Sequence, residues 1–261
     1  MDHFLAQLGP EQTAIDLGCG RGSFRYASYK CRIIGIDVTL DSSDLFREGS
    51  RISYVHADSG QIPLAPKSVD AVLSHHTMEH FTDYRRTLME IDRVLKDRGI
   101  LWIAVPDGFS LDDSLYRFVY SGGGHVNRFT RASLIDAVHE LTRFRLKQEV
   151  DLFSSFIYLS QLHQMPGELK TAGLIVLNAL TRVTDKILGS RFSQYGWGFV
   201  FAGEDVSLPP IHTAYFNVCS NCGSGSPAAT LRVKTYFGLG IFRCPNCGQK
   251  NSYVTPPAGL A

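Results

Sequence analysis

The chain has 261 residues, 44% hydrophobic and 20% charged, with 26 basic against 25 acidic side chains. This is the make-up of an ordinary globular protein, long enough to bury one large core or a core with an appendage. A formal net charge of +1 creates no strong field for nucleic acid, although a local patch stays open.

The opening MDHFLAQLGPEQ has neither a basic n-region nor a long apolar run, so no signal peptide is expected and a cytoplasmic location is the default. From residue 13 short apolar runs alternate with helical patterns. TAIDLGCG reads as a buried strand running into a glycine turn. CRIIGIDV (31–38), RISYVHAD (51–58) and SVDAVLSH (68–75) read as three more strands. Tyr84, Leu88, Ile91 and Leu95 then recur at helical spacing, with Thr82 as expected N-cap and Gly99 as the stop. ILWIAVP (100–106) is a fifth strand, and a helix from about Arg131 carries Leu134, Val138 and Leu141 on one face behind Thr130. Strands alternating with helices in this way predict a parallel sheet covered on both faces.

Past residue 150 the pattern weakens. Residues 152–190 read as mostly helical and GWGFVFAGE (196–204) as a strand. Within the helical part, TAGLIVLNALTRVTDKIL is interrupted by Asn178, Arg182, Asp185 and Lys186. Charges near the middle of a span are costly, so it reads as an amphipathic helix and not a transmembrane one. From about residue 212 the composition shifts to Cys, Gly, Ser, Asn and Pro, the mark of a small separate module.

In a parallel sheet, ligands bind beyond the carboxyl ends of the strands. DLGCGRG (16–22) is a glycine turn there, Asp37 ends the second strand where it could hold ribose hydroxyls, and Asp58 ends the third. The dinucleotide fingerprint G-x-G-x-x-G is not met, because the spacing is G-x-G-x-G with Ser23 in the final place. Asp16 just before the turn disfavours a pyrophosphate and suits a cationic ligand. Cys19 reads as a small buried filler.

AIDLGCGRGSF, GIDV, HADSGQIPLAPKSVDAVLSHHTMEHF and EIDRVLKDRGILWIAVPD, in this order and spacing, resemble the class I S-adenosylmethionine-dependent methyltransferases over roughly residues 11–145. KDRGI departs from the family's usual Pro-Gly-Gly. The resemblance implies a Rossmann-like, doubly wound α/β fold with a seven-stranded, mostly parallel sheet. It implies that Asp16, Gly18 and Gly20 bind the methionine end of the cofactor, that Asp37 holds its ribose, and that Val38, Asp58 and Ser59 meet its adenine, with His75 contacting it through backbone.

SHHTMEHF (74–81) contains His76, Glu79 and His80 as H-x-x-E-H, the inverted zinc-peptidase pattern. A peptidase needs both histidines on one helix face with a third ligand, and none stands out in the sequence. In the resembled group H-x-x-E-H commonly follows the fourth strand, beside the cofactor. His76 and His80 are therefore candidate bases for an acceptor hydroxyl, against a purely structural role for His80. GGGHVNRFT (122–130) loosely resembles a G-H-x-R-x-F stretch of the same group and makes His125 a third candidate, as base or substrate contact.

CSNCG (219–223) and CPNCG (244–248) are two C-x-x-C-G knuckles. Cys219, Cys222, Cys244 and Cys247 are the expected ligands of a structural zinc in a zinc ribbon, with no open coordination position. The expected organisation is a methyltransferase domain over 1–210, with a helical insertion at about 152–190, followed by a ribbon over 211–255. The expected acceptor is a small molecule or sugar, methylated on oxygen in polysaccharide or secondary-metabolite synthesis. An RNA methyltransferase gripping substrate with the ribbon, and a non-catalytic cofactor-binding scaffold, are the alternatives. Oligomeric state is not legible.

Overall fold

The computed structural model describes residues 5–20, 22–24, 26–40, 51–120, 124–153, 167–188, 194–208, 216–218, 225–227, 231–236, 239–245 and 248–253. The chain divides into two compact units. One comprises Met1–Asp107, Gly124–Glu149 and Trp197–Ile211, the other Gly108–Gly123, Val150–Gly196 and His212–Ala261.

The largest sheet has seven strands. Its strands are β1 Thr13–Leu17, β2 Arg32–Asp37, β3 Ile52–His56, β4 Val69–His75, β5 Leu95–Pro106, β6 Arg145–Phe153 and β7 Gln194–Ala202. They lie in the order β3-β2-β1-β4-β5-β7-β6. The pairs β1–β2, β1–β4, β2–β3 and β4–β5 are parallel. The order reverses between β1 and β4, so the carboxyl ends of β1, β2, β3 and β4 open onto one crevice at a topological switch point.

Burial explains why apolar runs and not alternating patterns mark these strands. Ile15, Leu17, Ile36, Val72, Leu101, Ile103, Phe199 and Phe201 lie in one buried cluster with helix residues packed on it. Helix α1, Tyr84–Val94, contributes Leu88, Ile91 and Val94 to that core. Each such side chain contributes about 1.5–3 kcal/mol through removal from water. Cys19 is buried as the filler expected, and burial pushes its thiol up to about 12, so it stays a neutral packing group.

Three local readings are corrected. The N-cap of α1 is Asp83, whose carboxylate accepts from the Arg86 N–H, and not Thr82. The helix ends at Val94, one residue before Leu95, which is already in β5. Gly99 therefore caps nothing. The register jumps from Val69↔Leu95 to Ala71↔Ile100, and a Cβ on Gly99 would lie 2.5 Å from Leu95 Cδ1. Glycine is required there by close packing inside an irregular strand. Third, Arg145–Phe153 is a strand that the sequence pattern does not mark, because RLKQEVDLF mixes charges with apolar residues as a sheet-border strand does.

The helix expected behind Thr130 is α3, Arg131–Leu141, with a reciprocal capping box between Thr130 and Ser133. It follows α2, Leu111–Val119, a helix of the second unit capped by Ser110. That unit also holds α4, Gly167–Leu188, and the antiparallel strands β10 Val233–Tyr236, β11 Leu239–Arg243 and β12 Lys250–Ser252. The two short strands β8 Phe216–Val218 and β9 Gly225–Pro227 pair antiparallel. Along α4, Val176, Leu180, Val183 and Ile187 are exposed as an apolar row. Among the described residues no helix is long and apolar enough to cross a membrane.

Candidate active site

The loop after β1 turns with positive φ at Gly18, Gly20 and Gly22. At Gly18 space is also decisive, since a Cβ would lie 2.7 Å from the Thr77 Cβ. Thr77 ties two strand ends together: its hydroxyl donates to the Leu17 carbonyl at 3.0 Å and lies 2.8 Å from the Ser74 hydroxyl.

Asp16 has no exposed surface. Its carboxylate accepts from the Ser23 N–H, the Ser23 hydroxyl and the Tyr26 hydroxyl. Burial raises its pKa, and those hydrogen bonds only partly offset the shift. The expected ligand to a cationic cofactor thus lies beneath the glycine loop and shapes it from below.

Asp37 faces the crevice. Its Oδ2 accepts from the Gly20 N–H at 2.7 Å, and its Oδ1 accepts from the N–H and the hydroxyl of Thr39. Burial pushes its pKa up, but these bonds outweigh that and hold the carboxyl below the usual range. Each carboxylate oxygen has two acceptor sites, so Oδ1 is filled by Thr39 and one site, on Oδ2, is left for a hydroxyl donor. Val38 beside it is exposed although apolar. Asp58 Oδ1 accepts from the Gly60 N–H at 2.6 Å, and the Ser59 hydroxyl meets that of Thr87 at 2.9 Å, joining the loop after β3 to α1.

These groups border a cleft of about 560 Å³. Gly18, Asp37, Val38, Asp58, Ser59, His76 and His80 line it, together with Thr39, Thr77 and Arg86, which the sequence reading did not single out. Two of these could have been suspected: Thr39 directly follows GIDV, and Thr77 lies inside SHHTMEHF. His75 is not among the lining residues; Trp102 Nε1 donates to its Nδ1 at 3.5 Å.

The H-x-x-E-H stretch does not form a helix face. His76 sits in the loop after β4 with φ of 55°, and Met78–His80 is a single 3-10 turn. That geometry is unlike two imidazoles locked one turn apart on an α-helix, and the peptidase pattern loses its structural basis. Burial, with three neighbouring imidazoles, holds the His76 pKa well below its ordinary value, so the ring is neutral.

The segment after Gly124 folds onto this turn. Asn127 donates through Nδ2 to the carbonyls of Met78 and Phe81, and through its N–H to that of Glu79. His125 Nε2 comes within 4.0 Å of Glu79 Oε1, and its ring centroid lies 4.7 Å from that of His80. The three histidines expected from two separate motifs are thereby gathered around the buried Glu79.

Of the cysteine tetrad, Cys219, Cys222 and Cys247 lie outside the described residues. Cys244 is buried in a tight turn, its N–H donating to the Gln249 carbonyl and its carbonyl accepting from the Gly248 N–H.

A glycine turn, strand-end carboxylates and an open cleft at the switch point of a doubly wound sheet define an enzyme that binds a nucleoside-bearing cofactor. The methyltransferase-domain family matches residues 15–103. A malonyl-[acyl-carrier protein] O-methyltransferase of Pectobacterium atrosepticum is 30% identical over 182 residues, 63% of this chain and 72% of that protein. A transposon-borne protein of Streptomyces fradiae is 32% identical over 111 residues, 39% of this chain but only 32% of its own length. Among solved structures, the complex of a Haloferax volcanii methyltransferase with its Trm112 activator shares the fold, with a TM-score of 0.54 at 19% identity over 79% of this chain and 90% of that one. The chain belongs to the S-adenosylmethionine-dependent methyltransferases.

Proposed function

We propose that this chain transfers a methyl group from S-adenosylmethionine to an oxygen of a small-molecule or sugar acceptor. One observation carries the reading: Asp37, exposed Val38 and Asp58 share a single cleft with His76 and His80. When bound, the cofactor supplies an electrophilic methyl on a sulfonium leaving group. Asp37 would take a ribose hydroxyl, Val38 would cover one face of the adenine, and Asp58 with Ser59 would meet its edge. Gly18 and Gly20 let backbone approach the methionine end, with Asp16 holding their loop from beneath. His75 is read as packing behind the site.

His76 is the first choice of base for an acceptor hydroxyl by position, since it lines the cleft. His80 and His125 stand close by on the acceptor side. Methylation on oxygen is favoured by these bases, and the Pectobacterium relative is by name an O-methyltransferase. The near-balanced charge disfavours an RNA acceptor, whose phosphates call for a basic stripe. Cys219, Cys222, Cys244 and Cys247 would hold a structural zinc in the 211–255 module, and reduced thiolate ligands fit a cytoplasmic setting. The buried, turn-forming Cys244 suits that donor set.

Calorimetry with S-adenosylmethionine tests the cofactor reading. Asp37→Ala should weaken binding about tenfold or more, because a hydrogen bond to a charged group is lost. Unchanged affinity would remove the ribose assignment. Cofactor binding with no turnover across hydroxylated acceptors would favour the non-catalytic scaffold.

A further inference from the structure

We propose that Glu79, His80 and His125 form a binding site for one divalent transition-metal ion at the edge of the cofactor cleft. One ligand-capable atom from each residue lies within 4.8 Å of the others. Two imidazoles and a carboxylate form a donor set suited to the series from manganese to zinc, unlike the all-oxygen sites of magnesium or calcium.

Three features make this more than a chance cluster. Glu79 is only 1% exposed, so the carboxylate is held among imidazoles rather than solvated at the surface. His80 Nδ1 lies 2.9 Å from the Gly124 carbonyl oxygen, which can only accept. Nδ1 therefore carries the proton, and Nε2 is the ring's lone-pair atom. A second nitrogen fixed by a backbone carbonyl is the usual arrangement behind a metal-bound imidazole. Third, the loop carrying His125 is built to hold this position. Gly124 takes φ of 77°, where a Cβ would crowd His80 Nδ1 at 3.2 Å, and Asn127 fastens the loop to the Met78–Phe81 turn.

Metal–ligand bonds of about 2.1 Å in tetrahedral geometry set donors about 3.4 Å apart. The 4.0 Å between His125 Nε2 and Glu79 Oε1 needs only a small contraction. Three protein ligands leave at least one position open, and His80 is itself a cleft residue. On the methyl-transfer reading, from which this part follows, the ion would take the acceptor's oxygen and orient it toward the cofactor, with His76 left as base.

The test uses the tag-free full chain, desalted after brief EDTA treatment and titrated with Mn2+ under electron paramagnetic resonance. Thiolates compete poorly for manganese, so the cysteine module does not mask the site. One ion per chain is expected, bound at least tenfold more weakly in Glu79→Gln and in His125→Ala. In the unmutated protein Mn2+ should broaden the imidazole resonances of His80 and His125 before that of His139, a readout that does not depend on the variants folding. No stoichiometric binding, variants binding as tightly as wild type, or equal broadening of all three rings would each overturn the proposal. Calorimetry with S-adenosylmethionine on the same sample separates the two readings. Cofactor binding without manganese binding removes only the metal site, and manganese binding without cofactor binding removes only the cofactor assignment.

Discussion

Two glycines in one loop, both at positive φ, should respond differently to the same change. Gly18→Ala combines a left-handed backbone with a Cβ 2.7 Å from the Thr77 Cβ, whereas nothing lies within 4 Å of a Cβ on Gly20. We expect about 2–5 kcal/mol of destabilisation at Gly18 and about 1–2 at Gly20. Urea unfolding measures both, and equal losses would mean that Thr77 yields freely. Asp37 gives a pH-dependent counterpart. Its pKa is lowered on folding, so its ionised form contributes stability that is fully present above the unfolded value, near 3.8, and lost as pH falls through the folded one. The stability gap between wild type and Asp37→Asn should therefore be wider at about pH 6 than at about pH 2. A gap independent of pH would show that the carboxylate's charge is not what the Gly20 and Thr39 donors stabilise.

At the scale of elements, the side of the cleft that our reading gives to the acceptor is formed by two segments fastened together. The 3-10 turn Met78–His80 and the stretch from Gly124 to Phe129 are joined by both side-chain bonds of Asn127 and by its N–H to the Glu79 carbonyl. Asn127→Ala removes the side-chain pair, at a cost of about 1–3 kcal/mol for partly buried bonds. The groups that face the cofactor in our reading lie on other loops. The expected result is a lower kcat with S-adenosylmethionine affinity nearly unchanged. A parallel loss of cofactor binding would mean that the turn also supports the glycine loop. None of this pairing is visible in the sequence, because 44 residues separate Gly124 from His80 and the intervening chain has to cross β5 and α2 before returning. What was visible is that each segment was unusual by itself, one with three histidines around a glutamate and the other with a glycine run before a histidine.

At the scale of the molecule, the cleft that we read as the cofactor's is lined by residues of the first unit, while Cys244 belongs to the second. Thiol-blocking reagents should release one zinc per chain from the wild type and none from Cys244→Ser, with cofactor affinity changed less than about twofold. A large loss of affinity on zinc release would show that the two units depend on each other.

The parallel sheet covered on both faces and its strand-end aspartates were legible from the residues, and the family resemblance implied the count of seven strands. A buried strand must be a continuous apolar run, and a ligand turn at its end needs glycine at positive φ; both constraints act on neighbours in sequence. The exception, β6, lies at the end of the sheet order, where packing tolerates charged residues and local pattern loses its force. The tertiary structure alone decided three things. Asp16 turned out to be enclosed beneath its loop, since burial is set by what packs over a residue and not by its place in a motif. The H-x-x-E-H residues lie in a turn with His76 at φ of 55°, because strand β4 ends immediately before them and leaves no helix to carry them. His125 meets Glu79 and His80 because Asn127 pins the chain from Gly124 onward to the turn that follows β4, and proximity of that kind is a property of the fold, with no trace in residue spacing.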